Sequence, residues 1–108
     1  MLVARNYKTP GRGGGEVDLI MQEPAKPPKR ETTLVFVEVR QRATSFYGGA
    51  AASVGASKQR RIIFAARYYL LRLLQVPPCR FDVVSVEGDL SCEPQLLWLK
   101  GAFEAPSF

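Results

Sequence analysis

The clearest pattern in the sequence is an alternation of apolar and polar residues with a period of two, which is typical of half-buried β-strands. Residues 35–42, VFVEVRQR, show it best, because the three valines share one face of the predicted strand while Phe36, Glu38 and Arg40 share the other. The pattern predicts strands at residues 2–8, 15–22, 33–41, 79–87 and 95–101.

One longer segment, residues 58–74, follows the helical period instead, because its apolar residues recur at spacings of three and four. The predicted apolar face consists of Ile62, Ala66, Tyr69, Leu70 and Leu73. Ser57, directly before this segment, is the expected N-cap. The Gly- and Ala-rich residues 46–56 are expected to form a connecting loop, and such a loop can close over a substrate as a lid.

The predicted order of elements, β-β-β-α-β-β, defines an α/β fold with a mixed five-stranded sheet. The early hairpins should pair antiparallel strands, whereas the strand–helix–strand part should join parallel strands through a crossover. A chain of 108 residues is expected to form one domain, residues 1–108.

Acidic residues occupy the predicted second and third strands. In residues 15–22, GEVDLIMQ, the alternation places Glu16, Asp18 and Ile20 on one face of the strand. It places Val17, Leu19 and Met21 on the other. If the two strands are neighbours and their faces coincide, Asp18 and Glu38 converge. A carboxylate on the core side of a sheet is costly unless it is paired, hydrogen-bonded or bound to a metal.

Spacing alone leaves two interpretations of these acids open. Converging carboxylates beside a cation suit phosphodiester hydrolysis that depends on Mg²⁺ or Mn²⁺. Ordinary ion pairs on half-exposed strands produce the same spacing.

Composition narrows the chemistry. The chain contains no histidine, so any metal is expected to be a hard cation held by oxygen ligands. A net charge of +5 fits either a nucleic-acid partner or a basic soluble surface. Cys79 and Cys92 indicate a reduced, cytoplasmic protein, because two lone thiols without a CxxC motif are typical of that compartment. Neither a signal peptide nor an apolar run long enough to span a bilayer is found, so no membrane association is expected.

Five short motifs occur together in one order. They are ARN at residues 4–6, GEVDLI at 15–20, LVFVEVRQR at 34–42, KQRR at 58–61 and RFDVV at 80–84. With these motifs the sequence resembles the YraN-like family of bacterial proteins. That family is assigned to the restriction-endonuclease-like superfamily, whose signature is an acidic residue, a gap and (D/E)-x-K.

The resemblance implies a restriction-endonuclease-like core, here without the N-terminal helix usual in the family, and an endonuclease-like activity dependent on Mg²⁺ or Mn²⁺. It implies Asp18, Glu38 and the carbonyl of Val39 as metal ligands. Asp18 and Glu38 also belong to the implied catalytic set, which adds Arg40 in the place of the signature lysine, Glu16 as an accessory acid and Gln41 as a lining residue. An arginine keeps its proton, so Arg40 can contact phosphate or orient water but cannot act as a base.

Basic residues form the expected nucleic-acid contact, and they would bind backbone rather than base edges. They are Lys58, Arg60, Arg61, Arg42, Arg12 and Arg5. The alternative for these residues is a solvated helix face. Two other functions stay open: a catalytically inactive nucleic-acid-binding module, and a structural protein that forms a homodimer through an uncovered face of the sheet. Asp82 is expected to have a capping role or to form an ion pair, with Arg80 or a helix arginine, rather than to bind metal.

Overall fold

Five strands and one helix follow one another in the predicted order. The structure, a computed structural model, describes residues 1–42, 54–88, 93 and 95–106. The elements are β1 (Leu2–Lys8), β2 (Glu16–Glu23), β3 (Thr33–Arg42), α1 (Ala56–Leu70), β4 (Cys79–Glu87) and β5 (Gln95–Phe103). The strands lie in the sheet in chain order, with β3 and β4 parallel and all other neighbours antiparallel. The predicted α/β fold with a mixed five-stranded sheet is therefore confirmed.

The main core lies between the sheet and α1. Phe36 of β3 is fully buried there, with its ring 5.6 Å from that of Phe81 on β4 and 6.3 Å from that of Tyr69 on α1. The buried residues of the helix include four of the five predicted for its apolar face, and Leu73 packs beside them just after the helix end. Burial of this apolar face stabilises the helix, which carries arginines on its exposed side.

The opposite face of the sheet carries a smaller apolar cluster. Its buried members are Val35, Val37 and Val84, and Leu19 and Met21 pack against them. The outer part of this face includes Val39 and Trp98, which are both more than one third exposed. A homodimer formed through this face stays a prediction.

The side-chain alternation of β2 breaks at Asp18. Val17 and Ile20 both pack in the core under α1, whereas Leu19 packs on the other face, so the predicted grouping of Val17 with Leu19 and Met21 is wrong. The neighbouring strand β1 is irregular at the same level of the sheet. Its residue Asn6, which lies between two residues paired with β2, has a φ of 51°. Asparagine tolerates this left-handed conformation better than most residues. The break leaves Asp18 at a point where the strands are irregular.

Both ends of the helix differ from the prediction. The N-cap is Gly55 and α1 begins at Ala56, so the prediction of Ser57 as N-cap is wrong. The helix ends at Leu70 rather than at residue 74. The backbone amides of the next three residues donate to carbonyls three positions back instead of four, which gives a tighter turn than an α-helix. Most of the predicted lid loop and Cys92 lie outside the described residues.

A partly buried network of ion pairs joins three strands on the side of the sheet away from α1. Arg80 donates from Nε to Asp82 Oδ1 at 2.8 Å and from Nη2 to Asp82 Oδ2 at 3.0 Å. Trp98 Nε1 and the Gly101 amide also donate to this carboxylate, at 2.8 and 3.0 Å, and Arg80 reaches Glu23 at 3.1 Å. Burial alone would raise the pKa of Asp82, but these hydrogen bonds outweigh it and hold that pKa below its usual range. The predicted ion-pair role of Asp82 is confirmed.

The hairpin between β1 and β2 packs directly on α1 through Gly15. A Cβ atom at this position would overlap the Arg61 carbonyl oxygen and lie 2.6 Å from the Ala65 nitrogen. Because both are backbone atoms of the helix, neither can move aside cheaply. Glycine at this position therefore sets how closely β2 approaches the helix.

We expect Gly15→Ala to destabilise the protein by about 1–3 kcal/mol, the usual cost of inserting a methyl group into a packed contact. The measurement is the free energy of unfolding by urea. Gly55→Ala is the matched control, because its Cβ would meet no atom within 4 Å, and it should change stability by less than about 1 kcal/mol. Equal losses in the two variants would contradict the assigned contact.

Candidate functional site

Glu38 is a buried acid on the side of the sheet that faces α1. It follows Phe36 on the same face of β3, and only 2% of its surface is exposed. Its Oε2 lies 3.4 Å from Lys58 Nζ and 3.8 Å from Arg40 Nη1. Its Oε1 is buried and accepts no hydrogen bond from the residues that the structure describes. A buried oxygen in this state is costly in a structural role and marks a candidate site.

Asp18 reaches the same place from the neighbouring strand. The paired register of β2 and β3 runs from Glu23 opposite Thr33 to Leu19 opposite Val37. Beyond that point the Val39 amide donates to Asp18 Oδ2 at 2.8 Å, so a side chain takes over from the backbone ladder. Since the N–H and C=O groups of one strand residue point to the same side, the Val39 carbonyl also faces β2.

Burial raises the pKa of Glu38 from its ordinary 4.5 to about 7. The hydrogen bond that protonated Glu38 can donate to the Asp18 carboxylate, and the charge repulsion between the two acids, add to the rise. The attraction of Lys58 acts in the opposite direction without cancelling it. Asp18 on the neighbouring strand is therefore close enough to affect the protonation of Glu38.

Lys58 joins this acid pair from the first turn of α1. Its Nζ lies 3.2 Å from Glu16 Oε1 as well as 3.4 Å from Glu38 Oε2. One turn later, Arg61 Nη2 lies 3.1 Å from the same Glu16 oxygen. A hydrogen bond from Lys58, followed by its charge and that of Arg61, lowers the pKa of Glu16. Glu16 thus holds the lysine beside Glu38.

The structure brings together four of the five candidate catalytic side chains: Asp18, Glu38, Glu16 and Arg40. Gln41 does not join them, because alternation along β3 places it on the opposite face, where it is exposed. Arg40 lies at the edge of the site with 39% of its side chain exposed. Within the described parts of the chain, no group of three or more Asp, Glu, Cys or His side chains could hold a metal ion together.

The predicted nucleic-acid contacts divide between two faces. Arg61 lines the site, while Arg60 on α1 and Arg12 in the first hairpin are exposed. Arg5 is paired with Leu19, which packs on the face away from the helix, so it points away from the site. Arg42 ends β3 opposite Glu87 of β4.

Sequence reasoning assigned Lys58 to nucleic-acid binding and missed its contact with the acids. A signal was present in the sequence, since Lys58 and Arg61 are one helical turn apart at the edge of the apolar face. That spacing predicts that both side chains point to one element of the sheet. It could not identify the element, because the distance between α1 and β2 depends on the Gly15 contact.

The residues present suit a hard metal ion. The donors are oxygen atoms only, from Asp18, Glu38 and the Val39 carbonyl, and one of them is the buried Glu38 oxygen described above. Mg²⁺ binds in proteins through one or two carboxylates, with water and substrate oxygens completing its shell. Two acids therefore suffice, and Glu16 is not required as a ligand.

The fold and the site define a class of protein: an α/β protein whose mixed sheet holds two adjacent acids beside a lysine from its crossover helix. The family model described as Uncharacterised protein family UPF0102 matches residues 1–86. The chain belongs to this family, which is the YraN-like family that its motifs indicated. Among the described residues, no helix is long and apolar enough to cross a membrane.

Close relatives carry the same family description. A UPF0102 protein of Acidovorax sp. (strain JS42) is 61% identical over 104 residues, and one of Paracidovorax citrulli (strain AAC00-1) is 60% identical over 104 residues. Both matches cover 96% of this chain, and they cover 70% and 69% of the two relatives. These relatives independently support the membership of this chain in the family.

The raised pKa of Glu38 predicts a pH-dependent effect of Glu38→Gln on stability. Because the folded chain binds this proton more tightly than the unfolded chain, protonated Glu38 favours folding. That stabilisation is present below pH 4.5 and is lost as the pH rises to about 7. Glutamine resembles the protonated acid, so Glu38→Gln should match the native protein at pH 5. At pH 8, without metal, the variant should be more stable by roughly 2–3 kcal/mol.

Urea unfolding in the presence of a chelator at both pH values measures this difference. Glu31→Gln, in the exposed loop between β2 and β3, is the control and should show the same small effect at pH 5 and pH 8. If Glu38→Gln were no more stable than the native protein at pH 8, the strained buried carboxylate would be the wrong description.

Proposed function

We propose that this protein is an endonuclease-like phosphodiesterase that acts on DNA or structured nucleic acid and depends on Mg²⁺ or Mn²⁺. The observation that carries the proposal is the pairing of buried Glu38 with Asp18, which leaves one carboxylate oxygen without a donor among the described residues. The proposed restriction-endonuclease-like core agrees with the sheet order and with the positions of both acids.

Asp18, Glu38 and the Val39 carbonyl would hold the ion. When bound, the ion would lower the pKa of a water molecule and neutralise charge that develops on the phosphate. The Val39 amide fixes the second oxygen of Asp18, so the free carboxylate oxygens are oriented before substrate arrives. Burial of Glu38 strengthens the charge interactions that its carboxylate makes.

Lys58, rather than Arg40, takes the role of the signature lysine. Its ammonium is nearer to Glu38 than the Arg40 guanidinium is, at 3.4 Å against 3.8 Å. Lysine can also release its proton, which arginine cannot do. Glu16 accepts from the same ammonium and acts as a positioning residue. In this arrangement Lys58 contacts the reacting phosphate, while Arg40 at the edge of the site stabilises the negative charge of that phosphate.

An inactive nucleic-acid-binding module is the second candidate. It is favoured by Lys58, whose ammonium already partly neutralises Glu16 and Glu38 without a metal. The two candidates differ in one property, because only the first predicts turnover that requires a divalent ion. Binding that weakens steeply with salt is common to both.

Asp18→Asn and Glu38→Gln should each reduce cleavage by at least about 100-fold, since each change removes a metal ligand. The assay follows labelled duplex DNA, branched DNA and a folded RNA with Mn²⁺ on denaturing gels. Calorimetry should show that both variants lose Mn²⁺ affinity, and Glu31→Gln should retain both properties. If both acid variants cleave at the native rate, the assigned site is wrong. If the native protein binds nucleic acid but never cleaves it, the inactive module is correct.

Lys58→Met should behave differently from the acid variants. We expect a loss of cleavage of about 100-fold, because the charge beside the phosphate is removed. Mn²⁺ should bind at least as tightly as in the native protein, because a competing cation beside Glu38 is gone. Arg40→Met is the matched control and should lose less activity. A larger loss of cleavage in Arg40→Met than in Lys58→Met would show that Arg40, and not Lys58, has the role of the signature lysine.

A further inference from the structure

A surface feature that contains basic residues lies beside the acid site, between the first hairpin and α1. It is an open cleft of about 370 Å³ lined by Lys8, Thr9, Glu16, Arg61 and the glycines of the hairpin. Glu16 belongs both to this cleft and to the acid site, where Lys58 links it to Glu38. The cleft therefore adjoins the acid site at Glu16.

The two walls of the cleft are held in fixed positions. Gly15 packs on the backbone of Arg61 and Ala65, which ties the hairpin to the helix. Across the base of the hairpin, the Thr9 amide donates to the Gly15 carbonyl at 3.0 Å, and the Gly15 amide donates to Thr9 Oγ1 at 2.7 Å. A ligand in such a preformed cleft meets little cost of ordering the protein.

The hairpin glycines that line one wall of the cleft present backbone and no side chains to it. Gly11 and Gly13 have φ values of 86° and 68°, and a Cβ atom at either would meet nothing within 4 Å. Their positive φ explains glycine at these positions, because other residues adopt that conformation at a cost. The result is a surface of exposed backbone that a bulky anion can approach closely.

The charges of the cleft suit an anion with a single negative charge. Lys8 and Arg61 supply two positive charges and Glu16 supplies one negative charge, which leaves a net charge of +1. Lys8 lies near enough to Glu16 to act on its carboxylate electrostatically. A backbone phosphodiester carries one negative charge, which a site of net charge +1 attracts. Arg12 is exposed in the same hairpin, beside these glycines.

We propose that this cleft, here called the hairpin cleft, binds a backbone phosphodiester of the nucleic acid, next along the strand from the group held at Glu38. This inference rests on the proposed function for its substrate, but not on catalysis. The contact positions the strand and reads no base, because the lining offers backbone, two cations, one hydroxyl and the Glu16 carboxylate, which is already paired with Lys58 and Arg61.

The test is binding of full-length protein to labelled duplex DNA and to a folded RNA, by fluorescence anisotropy in the presence of a chelator. Gly13→Asp places a negative charge in the hairpin cleft, and Gly13→Asn is its isosteric control with the same backbone requirement. We expect the aspartate variant to bind at least about tenfold more weakly than the asparagine variant, the effect of one repelled charge on the ligand. Thermal unfolding of both variants verifies that they are folded equally. Equal affinities would overturn the proposal.

The salt dependence gives a second measurement. Lys8→Ala and Arg61→Ala should each reduce the slope of log K against log salt by about 0.9 for duplex DNA, the value for one lost phosphate contact. Lys26→Ala and Arg30→Ala are controls in the exposed loop at the other end of β2, and they should leave the slope unchanged. At constant ionic strength, displacement of the probe by millimolar inorganic phosphate would indicate a free-phosphate site and contradict the proposal.

The outcomes separate this inference from the proposed function. If Gly13→Asp weakens binding while no divalent ion supports cleavage, phosphodiester binding in the hairpin cleft is supported and the proposed hydrolase activity is contradicted. If Mn²⁺-dependent cleavage is found and Gly13→Asp binds as tightly as Gly13→Asn, the proposed hydrolase activity is supported and phosphodiester binding in the hairpin cleft is contradicted.

Discussion

The burial of the Glu38 carboxylate on the helix side of the sheet is the constraint on which the site depends. A charge in this position needs compensation, and Lys58 at the start of α1 supplies it at 3.4 Å. The lysine can reach the acid only if the helix begins over the ends of β2 and β3. Gly15 makes this approach possible, because any side chain there would overlap the helix backbone.

The same helix serves the core and the site. Ile62, Ala65 and Ala66 are buried against the sheet, and they determine the rotation of α1 about its axis. That rotation directs Lys58 and Arg61 toward Glu16. A change in core packing would therefore move the cations relative to the acids, so packing and site geometry cannot vary independently.

The sequence was sufficient for the order of the elements and for placing the two acids on neighbouring strands. Alternation in β3 identified Glu38 as an acid on the core face, and the meander then placed Asp18 opposite it, because antiparallel neighbours share a face. It was insufficient where a single backbone torsion decides the outcome. The left-handed Asn6 and the break at Asp18 move Val17 to the other face, which no alternation rule predicts. The role of Lys58 was missed for a similar reason, because it depends on a contact between elements distant in sequence.

Two acids are buried among the residues that the structure describes, and a comparison of them shows why Glu38 calls for a functional explanation. Asp82 is equally buried, but both of its oxygens accept from Arg80, and Trp98 and the Gly101 amide complete its shell. Its pKa is lowered, as expected for an acid that stabilises the fold. Glu38 has a raised pKa and an oxygen without a donor among the described residues, so it weakens the fold at neutral pH. An arrangement that costs stability in the folded chain is expected where a ligand supplies the missing partner.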